Sequence, residues 1–327
     1  MSRRRPDSAI LGAEPTLTFA EVVKLGRAEP AAARRLWRAL GFPDPGDAVA
    51  FTPADADALA LITTLVERGD LDAEAATKLT RALGHTMARL ADWQVSTLSG
   101  YVERLAGAGP GTGSWVDSGR AVVLGVAEPV ERLLAYTWRR HLAAAVDRMD
   151  ALGAADADLH TGQGTVGFAD LVSFTRLSAG IDEGSLADLV EEFESACADL
   201  VARRGGRLIK AIGDSVLFLT DDPVAGVDIA SDILERYRGS AERPAVHVGI
   251  ATGPVVTRLG DVFGNPVNLA SRLTGVARRN RVICDAVTAA ALRGVAGYDV
   301  RPLAERVVRG VGVVQPFTAR RRPAKTG

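Results

Sequence analysis

Asp170 ends an apolar run, Thr165-Val-Gly-Phe-Ala-Asp170, and a small-polar turn follows it, Leu171-Val-Ser-Phe-Thr175. An apolar strand that stops at a carboxylate delivers that carboxylate to the mouth of a site. Asp214 lies in Arg207-Leu-Ile-Lys210-Ala-Ile-Gly-Asp214-Ser-Val-Leu-Phe-Leu, which reads as two strands joined at a Gly-Asp hairpin turn. Carboxylates on neighbouring strands can hold hard divalent cations, because Mg2+ takes oxygen ligands and is shared with substrate phosphates. Taken singly, each aspartate is equally well explained as a strand end or a turn former, since Gly-Asp turns are abundant. A third segment, Leu259-Gly-Asp261-Val-Phe-Gly-Asn265-Pro-Val-Asn268-Leu-Ala-Ser-Arg272, begins as a loop and becomes helical near Pro266, a good first-turn residue. Asn268 and Arg272 then share one helix face. An amide and a guanidinium one turn apart suit a polyanionic ligand.

Together these segments resemble the catalytic domain of class III nucleotidyl cyclases, over roughly residues 160–320. The resemblance implies that Asp170 and Asp214 bind two divalent ions, Mg2+ or Mn2+, in each active site. It implies that Lys210 and Asp261 recognise adenine, that Asn268 orients the ribose and that Arg272 stabilises the pentavalent phosphorus. Guanylate-forming members commonly carry glutamate and cysteine at the base-reading positions, so this pair points to ATP. The turn containing Phe174 and Thr175 is expected to receive the β- and γ-phosphates through its amides. Arg309 resembles a triphosphate-binding cation, although Val311 stands where members often carry a second basic residue. The implied reaction is cyclisation of ATP to 3′,5′-cyclic AMP in a head-to-tail homodimer with shared sites. The segment from Gly253 to Asp261 is shorter than in many membrane-bound relatives, which leaves the details of that interface open.

The elements needed to position these groups follow in order. Residues 185–203 form an amphipathic helix with Leu186, Leu189, Val190, Phe193, Cys197 and Leu200 on one face, closed by Gly205-Gly206. Pro223 opens a second helix, and 245–251 reads as a short strand with Gly253-Pro254 after it. A strand at Val282-Ile283, a helix at 285–292 and a final hairpin through Val307, Gly310 and Phe317 complete the half. The expected fold class is α+β, an N-terminal all-α regulatory domain followed by a ferredoxin-like cyclase domain around an antiparallel sheet. The expected division is a flexible tail at 1–15, helices at 16–150, a linker at 151–164, the catalytic domain at 165–320 and a basic tail at 321–327.

Composition sets further bounds. The 39 Lys plus Arg balance 40 Asp plus Glu, which gives no global pull toward nucleic acid or an anionic membrane. No apolar run reaches the length of a spanning helix, and Ser2-Arg-Arg-Arg5 does not lead into a signal-like stretch. A soluble, cytoplasmic protein is expected. Cys197 and Cys284 both lie in apolar contexts and read as buried thiols rather than a disulfide or metal pair.

From 16 to 106 the pattern is helical, with Thr18 as a cap and Gly41 as a stop. The pair of helices around Gly26, with Phe51-Thr-Pro53 after it, resembles a MerR-like helix-turn-helix. That leaves a transcription regulator with a nucleotide-sensing half as the alternative function, against which the helix pair is also a generic packing unit and Arg34, Arg35 and Arg38 read as its solvated face. Residues 107–114 read as a glycine-rich loop. Helix resumes at 120–126 and again from Glu128 to Asp150, the second segment leading toward the catalytic half. This arrangement resembles the soluble actinobacterial adenylate cyclases whose helical N-terminal domain restrains catalysis and senses pH. His141 lies in that second helix, and histidine alone has an unperturbed pKa that titrates between about pH 5 and 8. It is therefore the candidate regulatory group.

Overall fold

The computed structural model describes residues 8–106, 115–151, 161–178, 180–238, 243–258 and 260–322. The extreme ends, the glycine loop at 107–114 and most of the expected linker lie outside the described residues. The chain divides into two compact units, Met1–Asp147 and Arg148–Gly327.

In the first unit, α1 (Ser8–Leu11) is a single turn inside the stretch expected to be a tail. α2 (Phe19–Leu25) starts at a capping box in which Thr18 and Glu21 satisfy each other's backbone N–H groups. α3 (Pro30–Ala39) is capped by Glu29, and α4 (Pro53–Glu67) begins at a second box, Thr52 with Asp55. These three helices close on Phe19, Val22, Ala33, Phe51 and Ala56, with the Trp37 ring 4.6 Å from that of Phe51. Arg34 pairs with Asp44 at 3.0 Å and lies over the Phe19 ring at 4.4 Å. One arginine of the supposed DNA-facing surface is thus engaged in holding the helices together.

α5 (Ala73–Ala106) and α6 (Trp115–Ala151) are long. The sequence suggests a break before Glu128, but α6 runs through it with Pro129 inside the helix. Proline deletes one backbone hydrogen bond and crowds the carbonyl four residues earlier. That earlier residue is Gly125.

The second unit is built on β1 (Thr161–Leu171), α7 (Phe174–Ser178), α8 (Glu183–Arg203), β2 (Arg207–Ile212), β3 (Ser215–Thr220), α9 (Pro223–Tyr237), β4 (Val246–Arg258), β5 (Asp261–Phe263), α10 (Asn265–Val276), β6 (Val282–Cys284), α11 (Ala286–Leu292) and β7 (Tyr298–Pro302). It ends with a hairpin of β8 (Arg306–Val308) and β9 (Gly312–Val314), then β10 (Phe317–Arg321). Among the described residues the main sheet has the order β2-β3-β1-β4-β6-β10-β7, with β5 on β4. It is mixed rather than wholly antiparallel, because β4 and β6 run parallel.

Side chains alternate across the sheet with period two. Ala169, Leu171, Val216, Phe218, Val246, Val248 and Ile250 face α8 and α9, and with them bury Phe193, Cys197, Ile229, Ile233 and Tyr237. Val166, Leu217, Leu219, Ala251 and Val255 face the opposite way, onto Ala270 of α10. By the same alternation Asp170 and His247 lie on the α10 side.

β4 is longer than expected and carries Gly253 and Pro254 within it. Its distal part pairs with the start of β1, down to Thr161 opposite Val256, and with β5. Pairing on both edges outweighs the turn preference of Gly-Pro. Arg321, assigned to the tail by sequence, belongs to β10 and pairs with Asp228, Asp232 and Glu235 of α9. Both cysteines are buried and free.

Candidate active site

Asp170 is the penultimate residue of β1, opposite Ser215 on β3 and His247 on β4. Each cross-strand partner takes one carboxylate oxygen. Ser215 Oγ donates to Oδ1 at 2.5 Å, and His247 Nε2 lies 2.9 Å from Oδ2. The other ring nitrogen of His247, Nδ1, lies 3.0 Å from the carbonyl of Ala277, the C-terminal cap of α10. Burial by itself would raise the Asp170 pKa, but the bonds from His247 and Ser215 outweigh it and hold the carboxyl below its ordinary range. Burial also opposes a charged His247, yet its bonds to Asp170 and Ala277 carry its pKa above the usual histidine value.

Asp214 occupies the β2–β3 turn, where Gly213 adopts φ 61 and so frees the tight reversal. Its pKa is raised, first by burial and then by the negative charge of Asp170. Two carboxylates that resist being ionised together have an unmet demand for positive charge.

The second cluster joins β2 to β5. Lys210 Nζ lies 2.5 Å from Asp261 Oδ2, with the side chains 36% and 30% exposed. Asp261 also accepts from the backbone N–H of Val262 at 2.9 Å. Burial acts to raise its pKa, but the Lys210 and Val262 bonds carry it below the ordinary value. The pair is oriented, and enough of it is open to meet a ligand.

α10 starts after Gly264, whose φ of 137 brings its Cα against the Pro254 carbonyl, where a Cβ would lie 2.8 Å from that oxygen. Pro266, Ala270, Leu273 and Thr274 form the buried side of the helix. Asn268 and Arg272 lie on its exposed side. Phe174 packs against the core under α8 and α9, after Ser173 in a left-handed conformation at φ 62. The backbone of Thr175 lies in α7, and its side chain is outside the described residues. Arg309 is exposed in the turn between β8 and β9. His141 is exposed on α6, in the other unit. Ser215 and His247 are additions to the residues singled out by sequence. The signal for them is register, since both are cross-strand neighbours of Asp170.

Residues 159–319 match the family of adenylate and guanylate cyclase catalytic domains. An adenylate cyclase from Streptomyces coelicolor is 39% identical over 350 residues, covering 99% of this chain and 91% of that protein. The chain belongs to the class III adenylate cyclase family. A pH-sensitive adenylate cyclase from Mycobacterium tuberculosis is 36% identical over 169 residues, covering 50% of this chain and 42% of that protein. A guanylate cyclase domain from Catenaria anguillulae, solved with GTP, is 24% identical with a TM-score of 0.46, covering 49% of this chain and 97% of that domain.

Class III adenylate cyclases depend on divalent metal, and the carboxylates of this cyclase fit such an ion. Asp170 and Asp214 supply hard oxygen donors, and their mutual repulsion is relieved by a cation. Among the described residues no group of three or more His, Cys, Asp or Glu is arranged to hold a metal. An ion held by these two carboxylates would take its other ligands from backbone, water and substrate phosphate, as is usual for Mg2+. Among the same residues no helix is long and apolar enough to cross a membrane.

Proposed function

We propose that this cyclase converts ATP to 3′,5′-cyclic AMP and pyrophosphate, with two divalent ions in each site shared between two copies of the chain. The Lys210–Asp261 pair carries the choice of base. Adenine offers an acceptor at N1 and a donor at its 6-amino group, which a lysine donor and a carboxylate acceptor complement. Guanine reverses that edge and would leave both partners mismatched.

In the reaction the 3′-oxygen of ATP forms a bond to the α-phosphorus, the bond to the pyrophosphate oxygen breaks and the hydroxyl proton leaves. Asn268 orients the ribose and Arg272 lies against the phosphoryl oxygens, where negative charge grows. The turn amides around Phe174 and Thr175, with Arg309, receive the triphosphate. Bound Mg2+ or Mn2+ supplies a lowered pKa for the hydroxyl and neutralises the phosphates. Asp170 and Asp214 are the residues that hold those ions.

Sharing of the site between copies is supported by the exposed face of α10 and by Ile212 and Phe263, which are 53% and 51% exposed. These apolar side chains flank the turn of Asp214 and the strand of Asp261, where a partner surface would cover them. A cytoplasmic location fits an ATP substrate.

The test is cyclic nucleotide formation by the full chain supplied with ATP or GTP and Mn2+. Cyclic AMP is expected from ATP, with loss of at least about 100-fold in Asp214→Asn, the scale of losing one transition-state stabiliser. Equal use of GTP, or full activity in Asp214→Asn, overturns the assignment.

Regulation by the helical unit, in response to pH through His141, rests on the exposure of that histidine in α6 and on the pH-sensitive relative. Activity of the full chain is expected to change between pH 6 and pH 8 more than that of residues 148–327 alone. A pH profile unaltered by His141→Ala removes His141 from the mechanism.

A further inference from the structure

We infer that His247 is a positioning residue for the metal carboxylate, fixing the Asp170 side chain from β4 while Ser215 fixes it from β3. The inference rests on the reading of Asp170 as a metal ligand and names what prepares it.

A carboxylate at a strand end has two free torsions, and both carboxylate oxygens can rotate away from an ion. Here each oxygen is held by a different neighbouring strand, Oδ1 by Ser215 at 2.5 Å and Oδ2 by His247 at 2.9 Å. An ionised carboxylate has about four lone-pair sites, so one hydrogen bond per oxygen leaves each oxygen free to ligate. The carboxylate is thereby aimed without being consumed.

The imidazole is itself fixed. Its side chain is only 14% exposed, and Nδ1 is tied to Ala277 O at 3.0 Å. That carbonyl belongs to the C-cap residue of α10, the helix bearing Asn268 and Arg272. His247 therefore bridges the metal carboxylate of β1 and the end of the helix that carries the ribose- and phosphoryl-binding groups. Gly249, two residues along the same face of β4, leaves no room for a Cβ against Ala270 O and Thr274 N, both at 2.3 Å. α10 lies directly on this strand, and the distance spanned by the ring is set by backbone packing.

Partners that orient a metal ligand typically contribute 10–100-fold to metal affinity. The experiment is titration of the full chain with Mn2+ alone, following the free Mn2+ signal by electron paramagnetic resonance. Circular dichroism and thermal melting without metal confirm that each variant is folded. The unsubstituted chain is expected to bind Mn2+ saturably and Asp170→Asn to lose that binding, which tests the ligand reading. His247→Ala is expected to weaken Mn2+ binding by about 10-fold or more. His247→Gln, whose amide nitrogen is as many bonds from the backbone as Nε2, is expected to recover most of the affinity. Saturable binding that is equal in His247→Ala and the unsubstituted chain overturns the positioning role while leaving Asp170 as a ligand. So does a fall in melting temperature for His247→Ala with no change in affinity, which would mark the histidine as merely structural. Absence of saturable binding to the unsubstituted chain overturns both.

Discussion

Lys210 and Asp261 are recognisable in the sequence as residue types, and the structure adds that they form an ion pair with each other. On the proposed base reading, an incoming adenine enters between or beside two groups that satisfy each other, so its selectivity depends on both. Removing one leaves the other to face the ligand with an unmatched polar edge, at a cost of about 1–3 kcal/mol per unsatisfied group. Lys210→Met is therefore expected to lower kcat/KM for ATP by roughly 10- to 100-fold and to narrow the ATP:GTP ratio, measured by initial rates on each nucleotide. An unchanged ratio would place base selection elsewhere. The sequence supports a role for Asp170 because an apolar run stops at it. It does not single out His247, whose place opposite Asp170 depends on a long-range register that no local pattern specifies.

Among the elements, α9 is tied at its solvent edge to both α8 and β10. Arg204, just past α8, bonds Asp232 at 2.8 Å, and Arg321 of β10 meets the same carboxylate at 2.6 Å. Burial opposes ionisation of Asp232, but these two guanidinium groups hold its pKa below the ordinary 3.8. A carboxyl that binds its proton more weakly when folded contributes stability above the unfolded pKa and loses it as pH falls through the folded value. Asp232→Asn is thus expected to melt below the unsubstituted chain at pH 7, with the gap closing below the ordinary value of 3.8 as pH is lowered. A gap that is constant with pH would exclude the ionic network as its source. On the other face, Gly249→Ala forces a Cβ onto the backbone of α10 and is expected to cost about 1–3 kcal/mol, seen as a lower melting temperature. Gly253→Ala meets only the Pro266 side chain at 3.1 Å and should cost less. Thr18 made the start of α2 legible as a cap, and periodicity did the same for the body of α8, whose start at Asp182 the structure adds. The full length of β4 was not, because Gly253-Pro254 locally favours a turn and only pairing with β1 and β5 extends the strand.

At the scale of the molecule, each unit has its own core, and α6 carries the chain from one toward the other. Asp170 near the end of β1 and Asp214 in the β2–β3 turn belong to the same end of one sheet, whereas Asn268 and Arg272 occupy the exposed side of α10, away from its buried Ala270 and Leu273. On the proposed roles, a single chain gathers one half of the chemistry and turns the other half to solvent. If two copies associate head to tail, the carboxylates of one receive the guanidinium of its partner, and each dimer contains two such sites. Asp170→Ala and Arg272→Ala chains each damage both sites of their own homodimer. In a mixed dimer both defects fall in the same site, and the other site is wholly intact. With random pairing half of the dimers are mixed and each has one good site, so an equimolar mixture is expected to recover about a quarter of the unsubstituted rate, with chains exchanging freely. The measurement is cyclic AMP formation by each variant alone and by the mixture after exchange. If all of these groups acted within one chain, every chain in the mixture would still lack one of them, and the mixture would be no more active than its components.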